Sequence, residues 1–257
     1  MADSFLGKLF WYDLQTSDVA AAETFYSAVV GWTVTVYPGS TPPYRLLTDA
    51  AGRSIGGMTA GSAGTPPHWS MYIGTEHIAD TAARVERLGG GAVSIVREVP
   101  KVGCMQTLRD PQGATFVIMT PATPERPPDQ EPGPGDVAWH ELYTNDAAAA
   151  MTFYTDVFGW REIEQFDMGP MGTYYIFGRA FRLGGMMTKP PEMARMPSYW
   201  GLYFRIADVD AGAERVKKLG GRIANGPVDV PDGARIVQCV DPHGALFSLH
   251  QLKPEGR

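Results

Sequence analysis

The sequence predicts an α+β fold of four βαβββ units in two tandem modules, and three observations carry that reading. The phrase FYSAVVGW at residues 25–32 returns as FYTDVFGW at residues 153–160, 128 positions later. WYDLQTSDVAAAETFY (11–26) is answered by WHELYTNDAAAAMTFY (139–154) at the same offset, and VPKVGCMQTLRDPQGA (99–114) by VPDGARIVQCVDPHGA (230–245) at an offset of 131. Each half then subdivides: Trp69 precedes Gly89 of a "GG" pair by twenty residues, and Trp200 precedes Gly220 by the same twenty.

In chain order, Trp11 opens an alternating run, the pattern of a half-buried strand. Asp18 begins an Ala-rich helix that closes at Gly31 and Trp32. Short strands are expected over 33–37, 44–49 and 54–59. Trp69 opens a second alternating run, WSMYIG. A helix over 80–88 follows and is stopped by Gly89 and Gly90, because glycine accepts the left-handed conformation just past a helix end. Strands over 92–96, 104–109 and 114–120 complete the half. The second half repeats this order, with a helix over 208–219. Its three additional residues are expected in a longer turn, DMGPMGTYY at 167–175. Between the halves, TPATPERPPDQEPGPGD (120–136) holds six prolines and two glycines and reads as a stiff linker. The modules are therefore placed at 1–121 and 137–257, with the linker at 122–136.

An apolar fraction of 44% and a charged fraction of 19% describe an ordinary globular protein. The net charge of −6, with both signs interspersed, argues against nucleic acid or an anionic membrane as partner, since both need clustered Lys and Arg. No apolar run approaches the roughly 18 residues of a membrane span. Residues 1–10 lack the basic-then-apolar order of a signal peptide. Cys104 and Cys239 are too few for a disulfide scaffold and lack a zinc spacing. The expectation is a cytoplasmic protein with free thiols.

Four such units, with "FY…GW" closing the first helix of each half and "DPxG" before each half's last strand, resemble the vicinal oxygen chelate superfamily. That family includes glyoxalase I, extradiol dioxygenases and bleomycin- and fosfomycin-resistance proteins. The tandem form with WYDLQT and WHELYT openings looks most like the glyoxalase-like proteins of actinobacteria often labelled hydroxylases. The resemblance implies that each pair of units curls into a half-barrel around a small-molecule cavity. It also implies modules paired about a two-fold axis, which one chain can satisfy, so a monomer or homodimer is expected.

Metal-dependent members of that family carry a His or Gln on a unit's first strand and a Glu on a last strand. Counting from "FY" and from "GG", the first-strand positions fall on Trp11, Trp69, Trp139 and Trp200. Counting seven on from Asp110 and Asp241, the last-strand positions fall on Val117 and Ser248. The remaining last strands offer Gly56, Gly57, Met58 and Gly184, Gly185, Met186. Indole, valine and glycine side chains cannot ligate, so no metal ligand and no cofactor is expected. Of the five histidines, His68, His77 and His243 fall in loops or past a strand. His140 alternates with Trp139 and so points under the helix. His250 shares parity with Ser248 and can face the cavity.

Trp32 and Trp160 read as core plugs. The four strand tryptophans have two readings. They fill the bowl that a lost metal would leave, or they form a flat wall for a planar apolar ligand. Asp13 and Glu141, two residues past Trp11 and Trp139, are the candidate catalytic groups. They either accept bonds from indole, tyrosine or amide groups and pin the units, or act as partly desolvated bases with raised pKa. Gln15 and Tyr143 continue that face; Met71, with Leu202, is the apolar counterpart in the even-numbered units. Candidate ligand contacts are thus Trp11, Gln15, Trp69, Met71, Trp139, Tyr143, Trp200, Ser248 and His250. The expected function is metal-free binding of a hydrophobic, aromatic or polyketide-like molecule, with carboxylate-assisted proton transfer. The resemblance alone implies instead a metal-dependent glyoxalase-type lyase or dioxygenase. A third reading is a non-catalytic interaction protein, and whether the chain is an enzyme stays open.

Overall fold

A computed structural model describes residues 5–123 and 131–253, so the linker residues 124–130 lie outside the described residues. Among the described residues the architecture is α+β, with seventeen strands in two mixed sheets and four α-helices, in tandem modules. The first module runs β1 (Leu9–Thr16), α1 (Val19–Val29), β2 (Thr33–Val36), β3 (Arg45–Thr48), β4 (Ser54–Ala60), β5 (His68–Gly74), α2 (Ile78–Arg87), β6 (Gly91–Ala92), β7 (Arg97–Val99), β8 (Gly103–Arg109) and β9 (Thr115–Pro121). The second runs β10 (Val137–Thr144), α3 (Ala147–Phe158), β11 (Arg161–Asp167), β12 (Thr173–Gly178), β13 (Arg182–Thr188), β14 (Tyr199–Arg205), α4 (Val209–Lys218), β15 (Arg222–Asp229), β16 (Arg235–Val240) and β17 (Leu246–Gln251).

Three of the four α-helices begin at an aspartate cap; α2 starts at His77 without one. Asp18, Asp146 and Asp208 accept the amides of Ala21, Ala149 and Ala211 at 2.9–3.0 Å, which satisfies one of the free first-turn donors in each helix. Gly89 and Gly220 take φ of +89° and +85°, the left-handed stops that "GG" encodes.

By contact density the chain forms two compact units that interleave the sequence halves. Among the described residues, one comprises 5–11, 70–123 and 140–200; the other comprises 12–69, 131–139 and 201–253. In the first, the strand runs are β5-β9-β8-β6, with β7 also on β8, and β11-β12-β13-β10, and α2 touches α3. In the second they are β2-β3-β4-β1 and β14-β17-β16-β15, and α1 touches α4. In every βαβββ unit the first and last strands run parallel, as β1 with β4 and β14 with β17.

Two local expectations change. The strand expected at 92–96 breaks into β6 and β7. The amides of Val93 and Ser94 both turn to Thr107 O, and the Ser94 hydroxyl accepts the Thr107 amide at 3.0 Å, which leaves Ile95 exposed. The turn at 167–175 is longer than its counterpart, as expected, but only by two residues, and the following turn is two shorter: Leu46 pairs with Gly57 and Ile176 with Gly185. Asp13 pairs with Gly57 and Glu141 with Gly185, still 128 apart. The net insertion therefore lies between β13 and β14, where a 3₁₀ turn at Pro191–Met193 takes up the length.

Candidate functional site

Strand pleating sorts the candidate residues between a helix-covered face and the opposite face. On β1, Leu14 is fully buried, while Trp11, Asp13 and Gln15 share the other parity. On β10, Leu142 and His140 lie buried on one parity, and Trp139, Glu141 and Tyr143 take the other. Trp11 packs against a cluster of Tyr72, Val117 and Met119, residues opposite in parity to Phe116, whose ring contacts Tyr154 and Phe158 of α3.

Both candidate carboxylates are buried, and both are held by tyrosines. Tyr44 Oη donates to Asp13 Oδ1 at 2.5 Å, and Tyr174 Oη donates to Glu141 Oε1 at 2.8 Å. Tyr143 donates to the other Glu141 oxygen. Glycine makes this possible. A Cβ on Gly57 would overlap the Tyr44 ring, and one on Gly185 would overlap Tyr174. Each glycine sits directly beside its carboxylate in the parallel ladder, so the phenol lies flat over the bare backbone and reaches across to the acid. In the second copy Tyr199 stacks on Tyr143, with centroids 5.0 Å apart and planes 12° from parallel. Burial, and then the charge of Glu141, pushes the Tyr199 phenol well above its ordinary range, so it stays a hydrogen-bond donor. Tyr44 and Tyr174 were absent from the sequence reading. A partial signal is present: each precedes the paired glycines of "SIGGM" or "LGGMM", but Tyr44 lies 31 residues past Asp13 and Tyr174 lies 33 past Glu141, so the exact register of the repeat does not align them.

Trp69 and Trp200 are placed differently from the expectation. Trp69 Nε1 donates to Tyr26 Oη at 3.0 Å among Trp32 and Phe204, and Trp200 Nε1 donates to Tyr154 Oη at 3.0 Å beside Trp160 and Phe177. Both rings therefore lie on the helix-covered face, as does Met71, which shares Trp69's parity and is 2% exposed. They do not line the face that carries Asp13 and Glu141. Counting back from "GG" leaves a one-residue ambiguity, and one residue reverses the face. The residues on the other face there are Tyr72 and Tyr203. Trp32 and Trp160 are buried as expected, and their indole N–H groups reach Gly135 O and Gly7 O at 2.8 Å.

Ser248 and His250 share the face of Tyr203, whose Oη accepts from Gln238 Nε2 at 2.8 Å. Burial, then the positive charge of Arg205, brings His250 down to about 4, so its imidazole is neutral at pH 7. His140, also lowered to about 4 by burial, donates from Nδ1 to Leu183 O at 2.7 Å and belongs to the core. Among the described residues no three His, Cys, Asp or Glu side chains gather closely enough to hold an ion. The two carboxylates that could contribute are bonded to phenols. This donor set does not fit the divalent metal that the family's lyases and dioxygenases carry. No helix among the described residues is long and apolar enough to cross a membrane.

Comparison with known proteins agrees with this architecture. Residues 136–249 match the model of the Glyoxalase/Bleomycin resistance protein/Dioxygenase superfamily, and residues 11–119 match that of a glyoxalase-like domain. The anthracycline biosynthesis protein DauV of Streptomyces sp. (strain C5) is 31% identical over 264 residues, covering 95% of this chain and 92% of its own. Among solved structures, 2,2',3-trihydroxybiphenyl 1,2-dioxygenase from Sphingomonas wittichii strain RW1 superposes with a TM-score of 0.69 at 14% identity, over 96% of this chain and 91% of the other. The Mn(II)-bound glyoxalase from Novosphingobium aromaticivorans does so at 0.66 and 16%, over 96% and 82%. Two repeated glyoxalase-type modules and a full-length relative place the chain in one family: it belongs to the Glyoxalase/Bleomycin resistance protein/Dioxygenase superfamily.

Proposed function

We propose that this protein binds a planar, hydroxylated aromatic molecule of the polyketide type and serves proton transfer on it through carboxylate–tyrosine pairs. The observation that carries the reading is the repeated device: Asp13 with Tyr44 over Gly57, and Glu141 with Tyr174 over Gly185. A carboxylate that accepts from phenols on one strand face can exchange a phenol for a ligand hydroxyl of the same chemistry. It can then act as base, with the neighbouring tyrosines donating to the developing oxyanion. Trp11, Gln15 and Trp139 share the strand faces of the carboxylates and supply flat apolar area and one amide. The role that the DauV name prints, in anthracycline biosynthesis, supports a polycyclic aromatic ligand. Ion-assisted lyase or dioxygenase chemistry gains no support from the donor set, and no step here runs through a metal.

Titration with 1,4-dihydroxyanthraquinone, read by tryptophan fluorescence, tests the reading. Saturable quenching at micromolar concentration is expected, weakened about tenfold in Asp13→Asn or Glu141→Gln, since a hydrogen bond to a charged group contributes about 1.5–3 kcal/mol. Quenching that never saturates, or that neither variant alters, removes the proposal.

A further inference from the structure

The last βαβββ unit departs from its counterpart in one respect. On the face opposite the helices, Tyr203 pairs with Ser248 and Arg205 with His250, while Gln238 and Ile236 lie across from them on β16. At the matching positions of the first module, Tyr72 pairs with Val117 and Gly74 with Met119, with Thr107 and Met105 on β8. Of those residues, Tyr72, Val117 and Met119 form an apolar cluster against which Met105 packs. Both copies carry two hydroxyls, but the last unit adds a guanidinium, an imidazole and an amide where the first has glycine, methionine and threonine.

Two of these groups are incompletely satisfied. His250 is 7% exposed, and its Nδ1 meets no hydrogen-bond partner among the described residues. Arg205 Nε is likewise buried and without one. Native proteins rarely leave buried donors open, because each loses its bonds to water and gains nothing in return. Packing alone would be served by the glycine and methionine of the other copy. Arg205 also lines a groove of about 410 Å³ with Pro132, Pro134, Ile206 and Gln251. The charges acting here are the Arg205 guanidinium and the Asp232 carboxylate on His250, and the Glu131 and Asp136 carboxylates on Arg205.

We infer that Arg205 and His250 form a subsite for a carboxylate on the ligand, Nε of the one and Nδ1–H of the other each donating to its oxygens. A planar guanidinium edge and a neutral imidazole on paired residues of adjacent strands both offer donors to such an anion. What the carboxylate is attached to rests on the aromatic reading above; the carboxylate contact itself does not.

Two measurements on the full chain test it. In long-range ¹H–¹⁵N spectra of histidine-labelled protein, benzoate is expected to shift the His250 imidazole signals saturably, while benzamide leaves them in place. Anthraquinone-2-carboxylate is expected to bind about tenfold more tightly than anthraquinone-2-carboxamide, with the ratio falling below twofold in Arg205→Gln and His250→Gln. The spectra use the unaltered chain and so answer even where a variant fails to fold. If 1,4-dihydroxyanthraquinone does not bind but benzoate still moves His250, the ring reading falls and the subsite stands. If the quinones bind, acid and amide alike, with His250 unmoved, the subsite is wrong. If nothing binds and nothing moves, both are wrong.

Discussion

Tyr26 and Asp241 stand 215 positions apart, yet the Tyr26 phenol donates to Asp241 Oδ2 at 3.1 Å while it accepts the Trp69 indole N–H at 3.0 Å. The same chain of bonds recurs as Trp200 to Tyr154 to Asp110, again at 3.0 and 3.1 Å. The other oxygen of each aspartate shapes its own "DPxG" turn by accepting two amides, those of His243 and Ala245 or of Gln112 and Ala114. Three motifs of the sequence, "FY", a strand tryptophan and "DPxG", are thus one structural relay, used once in each compact unit. Burial, and then the facing aspartate, raises both phenols far above their ordinary range, so they remain donors at any physiological pH.

Removing a relay hydroxyl should destabilise without touching ligand recognition. Tyr26→Phe and Tyr154→Phe each orphan a buried indole N–H and one carboxylate oxygen, a loss of about 2 kcal/mol or more per variant. Urea unfolding measures it. A change under about 0.5 kcal/mol in both variants would show that the relay contributes little.

The two repeated glycines make a sharper demand. Gly57→Ala and Gly185→Ala each push a methyl into a tyrosine ring, at a cost of about 1–3 kcal/mol, and should swing Tyr44 or Tyr174 off its carboxylate. Anthraquinone binding should then weaken as it does in the carboxylate variants. Binding at full strength by folded Gly→Ala proteins would separate the tyrosines from recognition.

Indole placement gives a spectroscopic prediction. Trp11 shares the face of Asp13, whereas Trp69 sits under the helices against Tyr26. Trp11→Phe should remove much of the quenching caused by a bound quinone, and Trp69→Phe should leave its amplitude nearly unchanged while lowering stability. The reverse pattern would mean that the ligand meets the helix-covered core.

Acid stability follows from the two buried histidines. His140 and His250 fall from about 6.5 in the unfolded chain to about 4 in the folded one, chiefly through burial. The unfolded chain therefore binds protons first as pH drops, so their contribution is complete above pH 6.5 and is lost progressively toward pH 4. For fully buried His140 that loss is on the order of 3 kcal/mol. Unfolding free energies of wild type and His140→Gln, compared across pH 7 to 4, should converge by about this amount. Parallel curves would refute it.

The sequence by itself determined the fourfold βαβββ architecture, because caps, "GG" stops and strand alternation are local and each is written twice. It also placed Asp13 and Glu141 beside Trp11 and Trp139, since residues two apart on a strand always share a face. Tertiary structure decided the rest. The faces of Trp69, Trp200 and Met71 hinged on a single residue of register, which flips every side chain of a strand and which no local signal fixes. Tyr44, just before β3, and Tyr174 of β12 reach the carboxylates from other chain segments, and only the ladder and the close approach to Gly57 and Gly185 show that they lie over bare glycine. Which repeats pack together was equally out of reach. Copies with the same local sequence offer the same surfaces, so only the long-range relays from Tyr26 to Asp241 and from Tyr154 to Asp110 reveal which copy meets which.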